Sequence, residues 1–258
     1  MPSVSVKELL AAGVHFGHRV SRWNPRMRPY IFGKRNLIHI IDLRQTIRGL
    51  VTACHVLTAL SKQGKEFLFV GTKRQARSVV EAAAKSCSQH YVTERWIGGT
   101  LTNYTTVSNR LQRLFEIERM EQDGRIEMYG KKERAQIMRE KRKLKRNLEG
   151  LRNMSKMPGA LVIVDPRREK NAVREANKLK IPVIAVIDTD ADPGLVDVPI
   201  PANDDALRVN QILIGRLAEA VSAGRAASSA VPILPLGEGP GGESAPPPPP
   251  VPPAIPQV

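Results

Sequence analysis

The chain has 258 residues, 41% of them hydrophobic, and a formal net charge of +15. That length and apolar content can build a sizeable core, which excludes a wholly disordered protein. No apolar run approaches the ~20 residues that span a bilayer as a helix, and a charge of this size on one domain points to nucleic acid or an anionic membrane surface, because neutralising phosphates releases counterions. The N-terminus carries neither a secretory pattern nor a lipidation motif, so a cytoplasmic protein is expected. Two cysteines, Cys54 and Cys87, are too few for a disulfide framework and fit a reducing compartment.

Along the chain, residues 5–12 read as a short helix, with Ser5 as N-cap and Glu8 in capping-box spacing, closed by Gly13. Residues 14–35 are rich in His, Arg, Trp and Pro and read as an ordered loop laid over a surface. A β-branched strand at 36–41 leads into a helix over 43–61. Then follow a strand at 66–70, an Ala-rich helix at 73–85 and a strand at 90–95. Beyond a long insert come strands at 160–164, 182–187 and 196–200, with helices at 169–179 and 206–223. Near-continuous Val and Ile runs alternating with helices indicate a parallel sheet covered on both faces. The expected fold is α/β: a flavodoxin-like, doubly wound three-layer sandwich formed by residues 1–105 and 155–225.

The insert, 106–154, carries apolar stripes at Val107, Leu111, Leu114, Ile117 and Met120 and again at Ile137, Leu144, Leu148 and Leu151. Such stripes on either side of a turn region predict an antiparallel helical hairpin of coiled-coil type. Its second half is densely basic: from Lys131 to Arg146 only Glu133 and Glu140 oppose nine cations. The tail, 226–258, holds 11 of the 20 prolines. It is expected to be polyproline-like or disordered, because it has too little apolar surface to bury.

Three loops carry candidate chemistry. At Gly71-Thr72-Lys73-Arg74-Gln75 a hydroxyl and two cations stand at a predicted helix start, where backbone N–H groups favour phosphate, although no P-loop spacing is present. Arg95-Trp96-Ile97-Gly98-Gly99-Thr100-Leu101-Thr102-Asn103 follows a strand, on the carboxyl edge where open α/β sheets bind ligands. Its Trp96 offers a stacking face, or else fills a core or hinge position. Asp188, Asp190 and Asp192 resemble a cation loop, but Pro193 and Pro199 stand where a calcium loop needs Gly and Glu, so an Asp-rich turn is the favoured reading. His15 and His18, Cys54 with His55, and Cys87 with His90 lack zinc-finger spacing. No metal and no cofactor are expected. GxSxG, GxGxxG and HExxH motifs are absent from the sequence, and no enzyme is expected.

The ordered motifs point to a family. VKELLAAGVHFGH from Val6, WNPRM from Trp23, IHIIDL from Ile38, FVGTKRQA from Phe69, RWIGGTLTN from Arg95, the segment from Pro158 to Pro182 with its VDP and Glu175, DTDADP from Asp188 and IPANDDALR from Ile200 closely resemble the bacterial small-subunit ribosomal protein two family. The resemblance spans residues 5 to about 222. It implies a structural constituent of the small ribosomal subunit with a flavodoxin-like domain and a coiled-coil hairpin. The implied partners are 16S rRNA, ribosomal protein one and neighbouring small-subunit proteins, with a role in late assembly and no membrane or small-molecule substrate. The expected RNA contacts are Arg19, Arg22, Trp23, Arg26, Arg28, Lys73, Arg74, Arg95, Trp96, Thr100 and Asn103, with His15 and His18 ordering the N-terminal loop. Against this stand an α/β nucleotide-binding enzyme, which leaves the basic insert unexplained, and a free RNA-binding factor, which would not travel with ribosomal subunits.

Overall fold

A computed structural model describes residues 5–229, which include all of the expected elements except most of the tail. Five parallel strands form the central sheet: β4 (Phe67–Val70), β5 (His90–Val92), β6 (Ala160–Val164), β7 (Val183–Ile187) and β8 (Val198–Pro201), side by side as β5-β4-β6-β7-β8. Numbered along the chain, that order is 2-1-3-4-5, consistent with a flavodoxin-like fold, whose strand order reverses between the first and third strands.

Both faces of this sheet are covered, and the side-chain period of two divides each strand between two cores. Phe67, Phe69, Val162, Val164, Ile184 and Val186 pack with α2 (Leu43–Lys62), α3 (Arg74–Ser86) and α7 (Leu207–Ser229). Leu68, Val70, Leu161, Ile163, Val183, Ala185 and Ile187 pack on the opposite face with α6 (Lys170–Lys178), Trp96 and Leu101. Burial on both faces is what lets β4, β6 and β7 be apolar at every position.

The N-terminal third departs from expectation. The short helix α1 (Val6–Ala12) is present, closed by Gly13 in the left-handed region, but the Ser5 side chain makes no capping bond. Residues 16–41 form a separate three-stranded antiparallel sheet, β1 (Phe16–Arg19), β2 (Ile31–Arg35) and β3 (Ile38–Ile41), ordered β1-β3-β2. Thus the strand expected at 36–41 does not join the parallel sheet, and much of the expected loop at 14–35 is strand and 3-10 turn. In β3 only His39 and Ile41 are buried, so its apolar run is half-exposed rather than enclosed. This sheet lies against the carboxyl edge of the large one, with Asn24 N donating to Thr189 O at 2.8 Å and Asn203 N to Val14 O at 3.1 Å. Gly17 makes the approach possible: a Cβ there would stand 2.5 Å from Thr189 Cγ2.

Between β5 and β6 the insert forms α4 (Tyr104–Gln122) and α5 (Lys131–Leu148), joined through Gly124 and a 3-10 turn at Arg125–Met128. The two helices pack against each other. Val107, Leu111, Leu148 and Leu151 enter the core under the sheet, whereas Leu114, Ile117 and Ile126 are buried outside it. Arg113 Nε lies 3.6 Å from Glu140, and Lys141 pairs with Glu121. At the other end of the chain, α7 runs through Ser229, so 226–229 are helical, not part of an extended tail; the expectation for 230–258 lies outside the described residues.

Candidate nucleic-acid interface

The carboxyl edge of the parallel sheet gathers the loops that follow β4, β6, β7 and β8, and several of its cations are already paired with carboxylates of the fold. Lys73, at the N-cap of α3, turns its ammonium onto Asp204 Oδ1 at 2.7 Å, Asp205 Oδ1 at 2.6 Å and Asp165 Oδ2 at 3.7 Å. The side chain is only 12% exposed. Burial works to lower its pKa, but the surrounding carboxylates, Asp204 foremost, outweigh that and hold it above the ordinary lysine value. Asp204 moves the other way from a normal acid: burial, then repulsion from Asp165 and Asp188, push it up to about 7 against the pull of Lys73. Lys73 therefore belongs to a closed charge cluster, and its ammonium is turned into the fold rather than toward solvent. Arg74, the next residue, is exposed.

Above this cluster, His18 ties the small sheet to the large one. Its Nδ1 lies 2.9 Å from Asp188 Oδ2, its Nε2 3.6 Å from Asp205 Oδ2, and its backbone N donates to Thr189 Oγ1 at 2.9 Å. The hydrogen bond to Asp188 raises the His18 pKa to about 9, with burial opposing and the charges of Asp188, Asp190 and Asp204 adding. His15 acts through its backbone, its carbonyl accepting from Ile41 N at 2.8 Å, while its half-buried ring stacks tilted on Phe16 and burial lowers its pKa.

The three aspartates of the 188–192 turn each take a different protein cation. Asp188 holds His18, Asp190 pairs with Arg167, and Asp192 receives Arg26 Nη1 at 2.8 Å and Gly194 N at 2.9 Å. They diverge, and among the described residues no group of three or more His, Cys, Asp or Glu side chains is placed to hold a metal ion. Cys87 Sγ bonds to Ala83 O at 3.2 Å, and His90 Nε2 lies 3.0 Å from Glu66.

The glycine loop is organised from beneath by Glu175 of α6. Its Oε1 accepts from Trp96 Nε1 at 2.9 Å and Gly99 N at 2.8 Å; its Oε2 accepts from Leu101 N at 3.0 Å, Thr102 N at 3.2 Å and Thr102 Oγ1 at 3.2 Å. Burial alone would raise its pKa, yet these donors prevail and lower it, so the carboxylate form is the one held. Gly99 allows the turn at φ +89°. Trp96 is buried in the core and Thr100 is 1% exposed with its hydroxyl bonded to Ile97 O at 2.6 Å. Both side chains serve the architecture of the loop, while Arg95 and Asn103 face solvent.

The N-terminal segment is the opposite kind of surface. Arg19, Arg22 and Arg28 are exposed, Arg26 is exposed while bound to Asp192, and Trp23 is half-buried with its ring 5.1 Å from that of His39. On α5, Lys131, Lys132, Arg134, Arg139, Arg142, Lys143, Lys145 and Arg146 are all exposed. Sequence reasoning passed over Asp204, Asp205 and Glu169 as organisers of the edge. Glu169 accepts from Thr72 N at 3.2 Å, and the only signal for these acids was their position at strand ends and helix starts.

Residues 9–224 match the family described as Ribosomal protein S2. The chain belongs to the ribosomal protein S2 family. Its relatives carry the name small ribosomal subunit protein uS2. That of Nostoc punctiforme is 48% identical over 225 residues, covering 87% of this chain and 85% of the relative. That of Synechococcus sp. JA-3-3Ab is 52% identical over 225 residues, covering 87% and 84%. The protein uS2c of Rhodomonas salina is 49% identical over 224 residues, covering 87% and 92%. Ribosomal protein S2 membership makes this a structural, non-enzymatic ribosomal component. Among the described residues no helix is long and apolar enough to cross a membrane.

Proposed function

We propose that the chain is a structural constituent of the small ribosomal subunit in the cytoplasm, binding 16S rRNA through its basic loops. In this reading it joins late in assembly and supports docking of ribosomal protein one and contact with neighbouring small-subunit proteins. The observation that carries the RNA reading is the outward display of Arg19, Arg22 and Arg28 on a segment with no acidic residue between Glu8 and Asp42. Arg74, Arg95 and Asn103 extend the contact along the edge of the sheet, with Trp23 and Arg26 as ordered neighbours. The α4–α5 insertion is read as a coiled-coil hairpin, over 106–154, whose basic face meets RNA or adjoining proteins, and 1–105 with 155–225 make the globular domain.

Binding of this kind is a sum of phosphate contacts. For ~8 neutralised phosphates, affinity falls by several orders of magnitude between low and moderate salt. Sucrose-gradient fractionation at moderate and high salt tests the proposal. The protein is expected in stoichiometric amounts with small subunits at moderate salt and to be released as salt rises. A peak among free proteins at every salt concentration would defeat it.

A further inference from the structure

The acid-free segment between Glu8 and Asp42 contains Arg19, Arg22, Arg26, Arg28, Lys34 and Arg35, and it ends in the β2–β3 hairpin. Two large apolar side chains stand out there, Phe32 at 80% and Leu37 at 78% exposure; among the described large hydrophobics only Met128 is more exposed. Phe32 sits on an edge strand where the register shifts between Ile31 and Gly33, and bulges of this kind re-aim a side chain. The connection Asn36-Leu37 has both residues in the left-handed region, at φ 50° and 62°. Asparagine tolerates that conformation and glycine prefers it, whereas leucine adopts it against a steric penalty. A solvent-facing leucine in a strained position, on the same hairpin as a solvent-facing phenylalanine, is poorly explained by folding and well explained by a partner.

We propose that the β2–β3 hairpin is a nucleobase-stacking site: Phe32 stacks on an unpaired base of the small-subunit RNA, Leu37 packs at the hairpin tip against a neighbouring nucleotide, and Lys34 and Arg35 neutralise the adjoining phosphates. The choice of partner follows from charge. Lys34 and Arg35 are both exposed, and no carboxylate in this segment would repel a polyanion or pair with a basic protein. The choice of an unpaired base follows from shape. Side chains cannot read the deep major groove of an RNA helix, whereas loops and bulges offer splayed bases whose π faces any aromatic ring can cover. The inference rests on the ribosomal reading above and adds a contact that phosphate neutralisation does not supply.

The test is rebinding of full-length variants to small subunits stripped of this protein by high salt, followed across salt concentrations. Phe32→Ala is expected to weaken rebinding by about five- to a hundredfold, the range for loss of one stacked base, with the salt slope unchanged. Phe32→Trp is expected to keep wild-type affinity. Replacing Lys34 and Arg35 together by Ala is expected to flatten the slope by about two phosphates. Leu37→Gly is expected to raise the thermal midpoint by relieving the turn, yet weaken rebinding. A photoreactive phenylalanine analogue at position 32 is expected to crosslink to RNA. Wild-type rebinding by a folded Phe32→Ala protein, or crosslinks from position 32 to protein alone, would overturn the stacking site and leave the ribosomal reading standing. Failure of the unmodified protein to rebind at any salt would instead overturn the ribosomal reading itself.

Discussion

Lys73 and Arg28 are both cations that sequence alone would assign to phosphate, and they sit in surroundings of opposite design. Around Lys73 the loops after β6 and β8 close three carboxylates on one ammonium, so this part of the edge neutralises itself. Around Arg28 there is no acidic residue in the segment, and the guanidinium faces water. A count of positive charge therefore overstates what is available for binding. What matters is whether the fold has already brought an anion to each cation.

The sharpest way to break this contrast is Lys73→Ala. Removing the ammonium leaves Asp165 and the buried Asp204 without the cation they share, and breaking a buried pair in this way typically costs ~3–5 kcal/mol. Urea unfolding should report that loss, while RNA affinity of the folded fraction stays near wild type. A stable protein with lost RNA binding would mean that the cluster is an interface after all.

Glu175→Ala comes next. It strands the Trp96 indole N–H and the N–H groups of Gly99, Leu101 and Thr102 beneath the glycine loop. Unfolding should become easier by ~2 kcal/mol, within the range for buried donors left unpaired, with raised hydrogen exchange at Gly99 and Leu101.

His18 gives a smaller, pH-dependent effect. Its folded pKa, about 9, lies above the unfolded value of 6.5, so its contribution is complete below pH 6.5 and is lost as pH rises through 9. Solvent reaches the ring and screens the pair, so a loss of ~1 kcal/mol is expected between pH 6 and pH 9.5. Asp204 works in the same direction at lower pH. It holds its proton longer in the folded chain than in the unfolded, so stability declines as pH climbs from the unfolded carboxylate range through about 7. Thermal midpoints across pH check both, and His18→Asn should remove the alkaline part of the decline.

Replacing Arg22 and Arg28 together by Ala should change stability least, by within ±0.5 kcal/mol. It should still lower the logarithmic salt slope of subunit binding by about two, near 0.9 for each phosphate released. An unchanged slope would remove the exposed half of the comparison.

The parallel sheet was legible because β4, β6 and β7 are apolar at every position, a pattern that two covered faces require. The small antiparallel sheet was not. Its β3 carries the same Ile-rich signal, and the hairpin that would have revealed it turns on Asn36-Leu37, without the glycine that usually marks such a turn. The candidate contacts divided in the same way. Exposed arginines announce themselves in a segment free of acids. The roles of Lys73, Trp96 and Thr100 depend on Asp204, Glu175 and Ile97, and two of these partners lie far along the chain. Long-range pairing of that kind leaves no local spacing to read.

The α4–α5 insertion also bears on how the chain reaches this fold. The central pair β4–β6 joins Phe67 to Ala160, roughly ninety residues apart, a separation whose closure entropy must be met before the sheet gains anything. Tyr104 and Met154, bonded side chain to backbone at the base of the insertion, enclose about half of that distance in a helical pair built from local contacts. Halving the effective loop eases its closure by ~0.6 kcal/mol. The basic arm is thus also a splint, drawing the two halves of a divided sheet within reach of each other as the chain folds.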